Sequence, residues 1–296
     1  MSYDLIAAAS EYESLLAEIR RLRGEITRLT AERDELKNQI MPRLQAQYNA
    51  QIGGLELQVF QAELRLRELK RAIEIMQAAR NRCRQWDPQK AKEQARREYR
   101  SWQERARKAA ERIHRSARYQ QAEEEQNRVW EEEQKKEGTS GGRPFRSRAD
   151  EMRHLYRKIV RRLHPDANPD ITPEEEEMFV RAAKAYRNGD LQTLREIAAR
   201  LDANSPQETY NNTPEGLEQL RKLVRQLSKS VMALEKEIQT IRAAFPYNQK
   251  DFLQDQEAVA ARQKELTERL ALAGWQYQEL LKRFERLAGG QDPEGL

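Results

Sequence analysis

The chain has 296 residues, 35% of them charged and 38% hydrophobic, with a mean hydropathy of −1.02. That is poor material for two large globular cores and suits long, solvated helices. Fifty-four basic residues against forty-nine acidic ones leave a formal charge of +5. The two signs are interspersed and come with no nucleic-acid motif or aromatic stacking platform, so nucleic acid is not an expected partner.

A single cysteine, Cys83, excludes an internal disulfide framework and fits a reducing compartment. The N-terminus lacks a basic stretch leading into an apolar core, and no apolar run reaches the length of a membrane span. A soluble, cytoplasmic protein without membrane contact is expected. His114, His154 and His164 stand at no ligand spacing from one another or from Cys83, and no phosphate loop or nucleophile arrangement can be read. No metal, no cofactor and no enzymatic activity are expected.

From Tyr12 the residues Leu15, Ile19, Leu22, Ile26, Leu29, Arg33, Leu36 and Ile40 follow alternating steps of three and four, a coiled-coil seam. Met41-Pro42 and Gly53-Gly54 interrupt it. A second seam then runs through Leu55, Val59, Ala62, Leu66, Leu69, Ile73 and Met76. The pattern predicts an antiparallel hairpin over 1–84, reversing somewhere from Met41 to Gly54. Leu57, Phe60 and Leu64 lie off that second seam, which calls for another helix or a second copy of the chain against it.

Asp87-Pro88 opens a long charged helix within 85–138, with a thin stripe of Ala95, Tyr99, Trp102, Ala106, Ala109 and Ile113. It reads as a solvated spacer held by charge pairs four residues apart, with Trp86, Trp102 and Trp130 as packing residues. A flexible linker, 139–148, follows.

A compact helical unit is predicted over 149–202. Met152, Leu155, Tyr156, Ile159, Val160 and Leu163 form one helix face, and Arg153, Arg157, Lys158, Arg161 and Arg162 the other. Pro165 stops that helix. Thr172-Pro173-Glu174-Glu175 reads as a capping box opening a second helix with Phe179, Ala182, Ala183 and Tyr186 on its apolar face. Asn188-Gly189-Asp190 breaks it, and Leu191, Leu194, Ile197, Ala198 and Leu201 form the stripe of a third.

The run from Tyr156 to His164-Pro165-Asp166, followed by Phe179, Ala182, Ala185 and Tyr186, resembles the J-domain of DnaJ-type co-chaperones. The resemblance covers about fifty residues. The first helix of that family is missing, because a Gly-rich linker stands in its place, and the third helix here is expected to fold back and close the core. The resemblance implies a DnaK-type chaperone as partner, with Asp166 accepting a charge-assisted bond from a basic group there. His164 would cap the free helix carbonyls, Pro165 would set the loop direction, and the basic face would steer encounter with an acidic patch.

After a linker at 203–212, Thr213-Pro214-Glu215 caps a helix with the seam Leu217, Leu220, Val224, Leu227, Val231, Leu234, Ile238, Ile241 and Phe245. Phe245 to Asn248 turns the chain, and Val259, Leu266, Leu270, Ala273, Tyr277, Leu280, Phe284 and Leu287 return. This predicts a second antiparallel hairpin over 213–290, with a tail at 291–296. The expected fold is all-α, two long antiparallel coiled-coil hairpins flanking a small J-domain-like unit. The expected function is a co-chaperone that stimulates the ATPase of a DnaK-type partner and directs it to a client protein or complex through the coiled coils. The rival is a coiled-coil scaffold whose J-like fold does not stimulate a chaperone. Heptad seams fit two helices of one chain as well as of two, so a homodimer stays open.

Overall fold

The computed structural model describes residues 2–82, 87–137, 145, 147–202 and 213–289. Cys83, Trp86, the 203–212 linker, the 291–296 tail and most of the 139–148 linker lie outside the described residues. The helices are α1 (Ser2–Glu35), α2 (Met41–Tyr48), α3 (Gly54–Asn81), α4 (Pro88–Glu98), α5 (Arg100–Glu137), α6 (Arg148–Leu163), α7 (Pro173–Asn188), α8 (Leu191–Asp202), α9 (Pro214–Ala243), α10 (Lys250–Gln254) and α11 (Gln256–Ala288). The fold is all-α, with no strand among the described residues.

The predicted N-terminal hairpin is not formed. Glu35, Met41, Tyr48, Gly53 and Gly54 all keep right-handed helical dihedrals, so neither breaker turns the chain. Each is absorbed as a widened π turn, Leu36–Ile40 ahead of Pro42 and Asn49–Gly53 at the glycines. A proline ring normally strikes the carbonyl four residues back, and a wider turn just before it respaces those carbonyls. Glycine in a helix costs only about 1 kcal/mol against alanine, too little to stop a helix that packs along its length.

The chain forms two compact units, Met1–Pro42 with Glu123–Asn248, and Arg43–Ala122 with Gln249–Leu296. In the first, the α1 seam of Ile19, Leu22, Ile26, Leu29 and Leu36 is buried against Leu220, Leu227, Val231, Leu234, Ile238 and Ile241 of α9. Glu11 pairs with Arg221 and Glu32 with Arg242, both 210 residues apart, so the two helices run parallel. In the second unit Ile52 and Val59 pack with Val259 and Leu266. Glu56 to Arg262 and Glu63 to Arg269 are both 206 residues apart, so α3 and α11 are parallel too.

The predicted C-terminal hairpin is corrected by the same observation. The seam of α9 is occupied by α1 and that of α11 by α3. Apolar seams interdigitate with any seam of matching period, and flanking charges select the partner. The break at Phe245 to Asn248 does fall where expected.

The spacer is not simply solvated. Asp87 caps α4 by accepting from the Gln89 and Lys90 amides, and Ala91 and Ala95 are buried against Leu69, Ala72, Ile73 and Met76 of α3. Trp102 of α5 stacks on Phe60 at 5.8 Å, which supplies the neighbour that the off-seam apolar residues of α3 required. The Arg67 guanidinium sits 5.2 Å from the Trp102 ring centre. Charge pairs four residues apart, such as Arg107 with Glu111 at 3.6 Å, do occur along this stretch.

Within the first unit α6, α7 and α8 enclose a core of Met152, Tyr156, Ile159, Val160, Leu163, Ala182, Ala185, Tyr186, Leu194 and Ile197. The third helix closes the core as the sequence suggests, and Trp130 of α5 enters it as well. Gly189 sits at φ +71°, the left-handed conformation that favours glycine at a helix C-terminus.

Candidate functional site

The site is the loop between α6 and α7, and its shape follows from how α6 ends. The His164 amide closes the last helical bond to Val160, and the Ala167 and Asn168 amides both fold back onto the His164 carbonyl. The Asn168 side-chain amide donates to the Arg161 carbonyl at 3.1 Å and to the Arg162 carbonyl at 3.0 Å. The carbonyl-capping role foreseen for His164 is therefore carried by Asn168. The far end is fixed by the capping box, in which the Glu175 amide donates to Thr172 Oγ1 at 3.3 Å and the Thr172 amide to Glu175 Oε2 at 3.0 Å.

His164 is turned inward, only 6% exposed. Its Nδ1 accepts the Asp166 amide at 3.1 Å, so Nε2 carries the proton and faces Thr30 Oγ1 at 3.3 Å. Burial pushes its pKa below the ordinary value, outweighing the nearby Asp166 carboxylate, and the ring is neutral. The Phe179 ring meets it edge-on at 5.1 Å. The histidine thus sets the loop conformation. Asp166 is left exposed and Pro165 half-buried.

The basic face divides into two groups. Arg157, Lys158 and Arg161 are exposed. Arg153 is held by Glu35 at 3.0 Å and Asp150 at 2.6 Å, and Arg162 donates to the Leu201 carbonyl at 3.2 Å. Of the expected core residues, Tyr156, Ile159, Leu163, Ala182, Tyr186 and Leu194 are buried, while Leu155 and Phe179 are half-buried at the margin. Tyr156 and Tyr186 stack with ring centres 4.3 Å apart.

Sequence reasoning missed that α1 is part of this site. Tyr156 donates its hydroxyl to Asp34, which also receives Arg33 at 2.8 Å. Burial, with the Asp34 carboxylate beside it, drives the Tyr156 pKa up, so the phenol stays a donor. The Gln39 side chain donates to the Tyr186 carbonyl at 3.2 Å, and Ala167 of the loop is fully buried among the apolar residues shared by α1 and α9. Thr30, Asp34, Glu35 and Gln39, from α1 and the π turn after it, therefore cover one face of the J-like unit. A signal was present: Thr27, Thr30, Ala31 and Asp34 are short residues on one stripe of an otherwise Arg- and Glu-rich helix surface.

A second buried polar cluster was also missed. Glu151 is 7% exposed and accepts Trp130 Nε1 at 3.0 Å, Arg195 Nε at 2.6 Å and Arg195 Nη2 at 3.0 Å. Burial pushes this carboxyl's pKa up, but the bonds from Arg195 and Trp130 outweigh it and hold the pKa below the ordinary 4.5. No group of three or more metal-ligating side chains is assembled among the described residues.

Comparison with known proteins gives one short match. The chain is 54% identical over 37 residues to a "Chaperone protein DnaJ" of Nitratidesulfovibrio vulgaris (strain DSM 19637 / Miyazaki F), covering 12% of this chain and 10% of that protein. The match suggests a J-domain relationship of that extent. No protein-family model matches, and no solved structure matches significantly. No described helix is long and apolar enough to cross a membrane.

Proposed function

We propose that this protein is a J-domain co-chaperone that binds a DnaK-type chaperone through its α6–α7 loop and stimulates its ATPase. One observation carries the reading: a loop held by hydrogen bonds presents the Asp166 carboxylate to solvent just past the end of α6, on which Arg157, Lys158 and Arg161 are exposed. A carboxylate fixed this way can accept a bidentate bond from an arginine of the partner without first losing loop entropy. The protein itself contributes recognition and no bond-making chemistry. Its paired helices direct the chaperone to a client protein or complex, and the working compartment is the cytoplasm.

A second reading is favoured by the burial of His164 and Ala167 in contact with α1 and α9. There the loop serves to lock the J-like unit onto the helix pair, and the protein is a scaffold. Single-turnover ATP hydrolysis by a DnaK-type chaperone separates the two. Stimulation by the native protein that is lost in Asp166→Asn supports the co-chaperone; no stimulation by folded native protein supports the scaffold.

A further inference from the structure

Between α1 and the α6–α7 loop lies a cleft of about 470 Å³ lined by Arg20, Arg23, Gly24, Thr27, Arg161 and Asn168. Three arginines and no acidic residue line it. Elsewhere on α1 the arginines are matched by acids: Arg21 bonds Glu18 at 2.8 Å and Glu25 at 2.9 Å, Arg28 bonds Glu32 at 3.2 Å, and Arg33 bonds Asp34 at 2.7 Å. Arg20 instead donates to the Leu16 carbonyl at 3.3 Å, and neither it nor Arg161 makes an ion pair among the described residues. The neutral linings cannot compensate this charge. Thr27 gives its hydroxyl proton to the Arg23 carbonyl, and both donor bonds recorded for the Asn168 amide go to the end of α6.

A concave site with three like charges, two of them without counter-ions, is a receptor for anions, and side-chain carboxylates match guanidinium groups bidentately. Its position decides which anions reach it. Arg161 is also one of the exposed cations beside Asp166, so a protein docked on that loop has its neighbouring surface over the cleft. We propose that α1 supplies half of the chaperone-docking surface, with Arg20 and Arg23 joining Arg161 to seat an acidic, carboxylate-bearing segment of the DnaK-type partner. This rests on the co-chaperone reading and extends it from the J-like unit to the helix pair.

The test measures binding of the full-length protein to the ATP-bound chaperone at low and at high salt, together with single-turnover stimulation. Arg20→Glu is expected to weaken binding about tenfold at low salt, mostly through the association rate, with the difference shrinking at high salt. Arg28→Glu makes the same charge change on α1 away from the cleft and is expected to alter binding less than twofold. Arg20→Glu and Arg161→Glu are expected to combine with less than the product of their separate effects, because they serve the same anionic group. Equal effects of Arg20→Glu and Arg28→Glu, with native protein active and Asp166→Asn inactive, would overturn the cleft alone. Absence of native stimulation would overturn the co-chaperone reading and the cleft with it. Competition by inorganic phosphate as strong as by a Glu-rich peptide would overturn the assignment to carboxylates.

Discussion

The contact between Asp34 and Tyr156 is the most direct handle on how α1 holds the J-like unit. Tyr156 is 1% exposed and Asp34 8%, so truncating Asp34→Ala leaves a buried hydroxyl with its charged acceptor gone. A hydrogen bond to a charged group contributes about 1.5–3 kcal/mol, and stranding a buried donor forfeits a similar amount. Arg33 loses its partner too, but its side chain is 22% exposed and Glu237 remains at 3.7 Å, so that loss adds less than about 1 kcal/mol. The expected destabilisation is about 2–3 kcal/mol, a drop of roughly 5–10 °C in melting temperature for a unit of this size. Tyr156→Phe removes the hydroxyl and should cost about 1.5–3 kcal/mol, the worth of a bond to a charged acceptor. In the double variant no donor is stranded, so the loss should fall short of the sum by about 1–2 kcal/mol. Urea denaturation of the four proteins gives the cycle, and hydrogen exchange at the Ala167 and Asn168 amides reports whether the loop loosens. Additive losses would show that the bond does not join α1 to α6, and the account of α1 as a cover would fall.

The buried neutral His164 makes stability pH-dependent with a definite sign. Its folded pKa lies below the ordinary 6.5, so on acidification the unfolded chain takes up the proton first. The stability conferred by the neutral ring is complete above pH 6.5 and is lost as the pH falls towards the folded pKa. Urea midpoints should decline as the pH falls below about 6.5, and His164→Gln should flatten the first part of that decline. Glu151→Gln keeps an acceptor for Trp130 but removes the carboxylate charge that Arg195 bonds; a loss of about 2–3 kcal/mol is expected by calorimetry, below the full figure for a buried pair because Arg195 is one-third exposed. Parallel pairing can be checked in a Cys83→Ser background, where a short bismaleimide should link Glu63→Cys to Arg269→Cys within one chain. Antiparallel hairpins would leave that pair unlinked.

What the sequence made legible was local. The capping box at Thr172, the stop at Pro165, the left-handed Gly189 and the caps at Asp87 and Thr213 all stand where their side chains and dihedral preferences require. The third helix of the J-like unit was also readable from the stripe of Leu191, Leu194 and Ile197. Partner choice was not. The seam of Ile19, Leu22 and Ile26 carries the period of its helix but no label for the helix it meets, and the breakers at Pro42 and Gly53-Gly54 are strong turn formers only when packing does not hold the helix straight. Glu11, Glu32, Glu56 and Glu63 do encode the parallel register, yet their arginine partners lie 206 or 210 residues away, beyond any periodicity. The burial of His164 was not legible, because a tripeptide carries no record of it; only the arrival of Thr30 shows which way the ring turns.

Parallel pairing of α1 with α9 has a consequence for the unit between them. Two parallel helices of one chain cannot be joined by a tight turn, so the chain must travel back along the pair before α9 begins. The contacts show that α6 does run against α1 in the opposite sense: Thr27 lies with Arg161 at the cleft, Asp34 bonds Tyr156, and Glu35 bonds Arg153. The J-like unit thus uses the return path as its foundation and is covered by a helix already present for pairing. Because Ala167 is buried among residues shared by α1 and α9, the loop bearing Asp166 and the helix seam form one packed body. A shift in register of α1 against α9 would therefore move the support under the loop that bears Asp166.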